Sequence, residues 1–234
     1  MKNQSYLISK IERYFSSYVI TTLLLVLAFY LRILDLNTLG FWGDEYNPFW
    51  ISEPFKTFNE ISIRTNHAPT FIPPYYYYFL NVYFHIFEYS VVASKLFHIF
   101  FGIFCLLITF FISNFFLRKS SSNLVLYILS FNVFFIWISN EARIICFALF
   151  FQLLNIYIFF WFLKNINKDI SIKKILVLIL SNLIVLSIHP FSVVIVFSQF
   201  VFLTIFYKKI FNNNYKKLLI FLFCIAFSYV SYVI

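Results

Sequence analysis

Long apolar runs punctuate this chain, at residues 18–34, 72–87, 93–117, 124–138, 144–163, 175–188, 191–206 and 218–234. Nothing else in the sequence restricts the fold as tightly. A backbone in lipid must satisfy its own N–H and C=O groups, which leaves helices or a closed barrel. The two-residue alternation of a barrel strand is absent. Of the residues, 62% are hydrophobic and 12% charged, about half the charged share of an ordinary soluble domain. Only three glycines occur, which argues against a long soluble domain between the runs. The expected fold class is all-α: a polytopic membrane protein with one membrane domain over residues 1–234.

The net charge of +9 does not point to nucleic acid, because the basic residues cluster in short segments between apolar runs. Short basic loops mark the cytoplasmic side of a membrane protein. If 72–87 lies in the interface rather than crossing, 13 of the 18 Lys and Arg fall on that side. They are Lys2, Lys10, Arg13, Arg118, Lys119, Lys164, Lys168, Lys173, Lys174, Lys208, Lys209, Lys216 and Lys217. About seven spans then result, with the N-terminus inside. Residues 35–92 become the first outer loop. It carries an acidic pair and a surface helix that opens on two prolines and four tyrosines, a composition suited to the interface. The basic start followed by 18–34 resembles a signal sequence, but no small-residue cleavage site follows, so an uncleaved first span is expected. The last run stops at Ile234 within a span, and a truncated C-terminus is expected.

Chemistry concentrates in the outer segments. Asp44 and Glu45 are two of nine acidic residues and stand side by side after Trp42 and Gly43. Neighbouring carboxylates repel, which raises one pKa and suits a general base; a solvated loop with two ordinary acids is the plainer reading. In "SNEARIICF", 139–147, Ser139 or Asn140 is placed to cap a helix starting near Glu141. Arg143 would then lie in the first turn, where a guanidinium and a helix N-terminus make an anion site. Glu141 and Arg143, two apart on a helix, would face different partners; an interfacial arginine anchoring a span is the alternative for Arg143. His67 in the outer loop, His189 at a span end and Lys95 near the outer end of the third run are further candidates to meet phosphate or sugar. His85 and His98, on apolar helices, read as packing residues. Cys105, Cys146 and Cys224 lie in apolar runs without metal-ligand or redox spacing. No P-loop, GxGxxG, HExxH or CxxC occurs. No cofactor is expected, and a metal stays open although the acids and His67 show no recognisable ligand spacing.

Four segments together resemble the integral-membrane glycosyltransferases of the C-type fold, in the branch of protein mannosyltransferases and lipopolysaccharide-core sugar transferases. "WGDE", 42–45, is similar to the family's first-loop acidic motif. "HAPTFIPPYYYYFL", 67–80, is similar to its His-Pro-Pro-Leu-Tyr-Tyr juxtamembrane segment. "ASKLFHIFFGIF", 93–104, is similar to its Leu-Arg-Leu span start, and "NEARIICFALFF", 140–151, to its Glu-Ala-Arg-x-Tyr motif. The chain departs from that pattern at Ile145, where the family has tyrosine, and at Lys95, where it has arginine. His67 is also separated from Pro73 and Pro74. Members are about twice as long, so the resemblance implies the N-terminal portion of that fold.

By this resemblance a sugar passes with inversion from a polyprenyl-phosphate donor to a glycan, lipid or protein hydroxyl. Asp44 would be the base and Glu45 would orient the acceptor or tune Asp44. Arg143, Lys95, His67, Glu141 and His189 would bind substrate. The implied setting is a bacterial inner membrane with the site on its outer, periplasmic side. Membrane lipid is the expected partner, and no nucleic acid. Two other readings stand beside it: a non-catalytic remnant or split half of such an enzyme, and a transporter of lipid-linked sugar. Against the transporter, ionisable residues fall at the ends of the runs rather than at mid-membrane.

Overall fold

The structure, a computed structural model, describes residues 2–34, 36, 40–68, 72–165 and 172–211, with backbone alone for 2–17, 172, 175 and 207–211. The expected run at 218–234, the loop at 166–171, Asp35 and Cys224 lie outside the described residues. Among the described residues ten α-helices follow one another: α1 Lys2–Ile33, α2 Tyr46–Ile51, α3 Phe58–His67, α4 Tyr75–Ile86, α5 Val91–Phe116, α6 Lys119–Ser130, α7 Val133–Asn140, α8 Ile144–Asn165, α9 Ile172–Ile188 and α10 Ser192–Phe211. Among the described residues there is no strand.

Contacts between the long helices fix their directions. Tyr18 lies under the Lys119 ammonium, and Thr21 Oγ1 is 2.8 Å from Asn123 Oδ1. Arg32 reaches the Ser130 carbonyl, so α1 and α6 run parallel. The start of α5 meets the end of α1, where Lys95 Nζ donates to Gly40 O at 3.1 Å. Phe101 packs on Phe147, Phe104 on Phe150 and Phe116 on Phe160, so α5 and α8 run together, opposite to α1. α9 returns, and its Ile188 joins Phe147 of α8 and Tyr77 of α4 in one apolar cluster. α10 turns back again, pairing Ser192 with Gln152 and Gln199 with Asn155.

Helices α5 and α8 are long and apolar enough to cross a bilayer, and they mark a membrane protein. The apolar stretches Tyr18–Ile33, Leu176–Ile188 and Ser192–Phe206 are shorter. The single span expected at 124–138 is instead two helices, α6 and α7, bent by 62°. The break falls at Phe131 and Asn132. Asn132 caps the new helix by accepting the Phe135 N–H at 2.8 Å, a local bond that competes with helix continuation.

Polar side chains knit α8 to α9 and α10. Asn155 donates to Ser181 Oγ at 3.1 Å and to Asn182 Oδ1 at 2.7 Å, and its carbonyl accepts from Gln199 at 2.5 Å. Close helix approach is set by Gly102: a methyl group there would lie 2.6 Å from Ser139 Oγ. Small residues permit this kind of contact between helices in lipid.

Helices α2, α3 and α4 gather at the end of the bundle that holds Gly40 and Lys95. Thr57 caps α3 reciprocally with Glu60: its hydroxyl accepts the Glu60 N–H while its own N–H donates to the Glu60 carboxylate at 2.9 Å. Helix α4 buries Tyr76, Tyr77, Leu80, Asn81 and Phe84 and turns Tyr75, Phe79, Val82 and Ile86 outward. His85, expected as a packing residue, is exposed on that helix because its position falls off the buried stripe.

Candidate functional site

Glu45 joins two distant segments of the chain. Residues Gly43–Glu45 form a single 3₁₀ turn that opens on Gly43 at φ +24°, a conformation costly to residues with a Cβ. The turn carries the Glu45 side chain inward to 1% exposure. Oε2 accepts the Trp42 N–H at 3.1 Å, and Oε1 accepts the Ala142 N–H at 2.6 Å. Both oxygens are thus committed to backbone, one on each side of a 97-residue separation. Such hydrogen bonds to an ionised acceptor are the strong kind.

The Ala142 bond explains why the segment 140–143 differs from the sequence expectation. Asn140 is the last residue of α7, and Glu141 is extended at φ −74°, ψ 125°. No helix starts at Glu141; α8 begins at Ile144. Ser139 is not a cap, since its hydroxyl donates to Phe135 O at 2.6 Å within α7. Glu141 and Arg143, expected to point apart on a helix, face each other across the turn with Nη1 3.7 Å from Oε2. Arg143 Nη2 lies 3.4 Å from Asp44 Oδ2. Asp44, Glu45, Glu141 and Arg143 therefore form one cluster.

The three carboxylates occupy different environments. The Asp44 side chain is 65% exposed and is the one open to solvent. Glu141 is 3% exposed, and neither of its oxygens has a hydrogen bond among the described residues. Its pKa is raised from the ordinary carboxylate value by burial, with Arg143 pulling down and Glu45 and Asp44 pushing up. The Arg143 guanidinium, with its side chain 35% exposed, sits between Asp44 and Glu141 as their shared counter-charge.

A second buried pair borders this cluster and was not singled out from the sequence. The Tyr76 hydroxyl is 2.7 Å from His98 Nε2, and His98 Nδ1 is 2.7 Å from Ser94 O. A carbonyl only accepts, so Nδ1 carries the proton, Nε2 accepts, and Tyr76 donates. His98 is a satisfied core residue, as expected, but its partner comes from α4. Burial first, then neighbouring Tyr77 and Glu45, push the Tyr76 pKa well above the phenol value. The hydroxyl therefore stays protonated beside the acids. A tyrosine run and a mid-helix histidine 22 residues apart give no local sign that they will meet.

The remaining candidates scatter. Lys95 is 4% exposed and donates to Gly40 O, behind the loop that leads to the acidic turn. His67 ends α3 and is exposed, and among the described residues no hydrogen bond or ion pair joins it to the acids. His189 follows α9 half-buried, and its Nδ1 accepts the Phe191 N–H at 3.3 Å. Desolvation lowers its pKa, so its ring is neutral at pH 7. Among the described residues no three His, Cys, Asp or Glu are arranged to hold a metal ion.

No family model matches the chain, and neither a curated protein nor a solved structure shows significant similarity to it.

Proposed function

We propose that this protein is a membrane glycosyltransferase that moves a sugar from a polyprenyl-phosphate donor to an acceptor hydroxyl, with inversion at the anomeric carbon. The observation that carries the reading is the Asp44–Arg143–Glu141 cluster at one end of an apolar helix bundle. The Lys119 and Lys164 ends of α6 and α8 lie at the other end, with Tyr18 and Phe115. A donor whose chain lies among helices presents its scissile bond at such a boundary. About seven spans, with the acidic end on the non-cytoplasmic, periplasmic face of an inner membrane, fit this polarity. Under this reading the helices belong to a C-type glycosyltransferase fold.

The roles follow from exposure and charge. Asp44 is the open carboxylate and takes the proton of the acceptor hydroxyl as its oxygen bonds to the anomeric carbon. The bond from that carbon to the phosphate oxygen breaks, and polyprenyl phosphate leaves. Arg143 moves from its 3.4 Å contact with Asp44 toward the charge that develops on the phosphate. Glu45 has no free oxygen, so its part is to hold the two segments together. Tyr76 stays neutral at the edge of the site, its one hydroxyl proton donated to His98. Lys95 adds positive charge behind the loop, and His67 and His189 extend the surface a glycan, lipid or protein acceptor would meet.

The test is Asp44→Asn in purified protein supplied with a polyprenyl-phosphate sugar and acceptor extract. Transfer should fall by at least about a hundredfold, the scale of general-base catalysis, with the fold intact. Unchanged transfer in that variant removes Asp44 as the base.

One observation favours a second reading, a transporter of lipid-linked sugar. The α6–α7 segment is broken, and Arg32 is buried within the bundle beside it, features that transporters place around a substrate path. Translocation in liposomes without cleavage of the sugar–phosphate bond would select it.

A further inference from the structure

Arg32 lies in the last turn of α1 and is 1% exposed. Its Nη1 donates to Ala28 O at 2.8 Å and reaches Ser130 O at 3.4 Å. Its guanidinium carbon is 5.3 Å from the centre of the Phe135 ring. Ser130 is the last residue of α6, and Phe135 stands in the first turn of α7. One side chain therefore touches both arms of the broken segment. The chemistry fits the place. A helix that stops within a bundle leaves carbonyls without partners, and lipid offers no water to satisfy them. A cation is favoured at that negative end of the helix dipole, and an aromatic face attracts it further.

The elbow matters because of what its far arm carries. Helix α7 has eight residues, a lever of about 12 Å. A change of about 10° at the elbow would displace its end by about 2 Å. Glu141, Ala142 and Arg143 follow directly at that end. The Glu45–Ala142 bond of 2.6 Å and the Asp44–Arg143 contact of 3.4 Å do not survive a shift of that size, given the narrow distance range of hydrogen bonds. The Gly102–Ser139 contact sets how closely α7 approaches α5. Helix α7 also packs against α1 and α8, so its tilt is shared between those contacts and the elbow.

We propose that Arg32 is a positioning residue: it sets the angle between α6 and α7 and thereby holds Glu141, Ala142 and Arg143 against Asp44 and Glu45. The inference rests on the geometry of the elbow, whatever reaction the site performs. Spin labels at Leu124→Cys and Trp137→Cys, both outward-facing positions, report the elbow in full-length protein whose native cysteines are changed to alanine. A second pair, Val26→Cys and Leu124→Cys, reports the α1–α6 packing. In Arg32→Met the first distance should shift or broaden by about 1 Å, the displacement of Trp137 partway along α7, while the second stays fixed. The Ala142 amide should exchange with solvent about tenfold faster or more. Arg32→Lys, which keeps the charge and a donor, should restore most of both effects. Where Arg32→Met does not insert, Arg32→Gln is measured the same way. An unmoved first pair overturns the proposal. A parallel shift of both pairs overturns it too, since that is general loosening. A moved elbow with a protected Ala142 amide removes the link to the site.

Discussion

Replacing Glu45 by glutamine tests whether the two halves of the site are joined by a carboxylate. Both Glu45 oxygens accept backbone N–H groups, from Trp42 at 3.1 Å and Ala142 at 2.6 Å, and the residue is 1% exposed. Glutamine has one acceptor oxygen and one NH₂ donor. Whichever way it is turned, a donor faces a donor, and one buried N–H loses its partner. A hydrogen bond to a charged group contributes about 1.5–3 kcal/mol. The shorter bond, to Ala142, is the one on which the Arg143 position depends. Losing 2–3 kcal/mol at that amide corresponds to roughly 30- to 140-fold faster opening, since about 1.4 kcal/mol is tenfold. Hydrogen exchange read by mass spectrometry on peptides spanning 140–147 and 40–46 measures both amides directly. In Glu45→Gln either the Ala142 or the Trp42 amide should accelerate on that scale, and sugar transfer should fall with it. Asp44→Asn is the control: an exposed side chain whose loss should abolish transfer and leave both amides protected. Wild-type exchange at Ala142 and Trp42 in Glu45→Gln would refute the claim that this carboxylate fastens the site.

Three other outcomes are expected. Gly102→Ala should destabilise the detergent-solubilised protein by about 1–3 kcal/mol, the usual cost of overpacking, and Ser139→Gly in the same chain should recover it, since Ser139 Oγ is the atom in the way at 2.6 Å; thermal aggregation measures both. Burial raises the Glu141 pKa, so the folded state holds that proton more tightly than the unfolded chain does. Its contribution to stability is then lost as pH rises from about 4.3, the unperturbed glutamate value, through the raised one, and Glu141→Gln should flatten that part of the melting-temperature profile. Asn155→Ala strands partners on Ser181, Asn182 and Gln199. It should loosen α9 and α10 from α8 by about 0.6–2 kcal/mol per bond, the range for hydrogen bonds within membranes, and cysteine cross-linking between the two helices would show it.

What the sequence made legible was the material that composition and periodicity carry. Within the described residues the apolar runs became helices, and the four tyrosines of 75–78 opened α4. Counting spans put Asp44 and Arg143 at one end of the bundle, and the two side chains do meet, at 3.4 Å, whatever the number of spans. His85 was misplaced for a local reason, its position off the buried stripe of α4; the other two errors share one cause. At 139–143 the local pattern Ser-Asn-Glu reads as a helix start, and the residue that prevents it, Glu45, lies 97 positions away. At 131–132 the run stays apolar enough to read as unbroken. Asn132 is the only local sign of the break, and Arg32, which accommodates it, comes from another helix about a hundred residues earlier, too distant for any window of helix periodicity. His98 has its partner on α4 for the same reason.

Each of these is a polar group whose bond crosses between elements in a medium that offers no substitute. In water an unmet N–H costs little, and local propensity decides where a helix begins and ends. Within an apolar bundle the cost of an unpartnered group is several times larger, so a distant carboxylate or guanidinium can override the local preference. Residues that long-range polar bonds hold are therefore ones that a window-by-window reading misplaces. In this chain they are Glu45, Glu141, Ala142 and Arg143, which with Asp44 make up the candidate site.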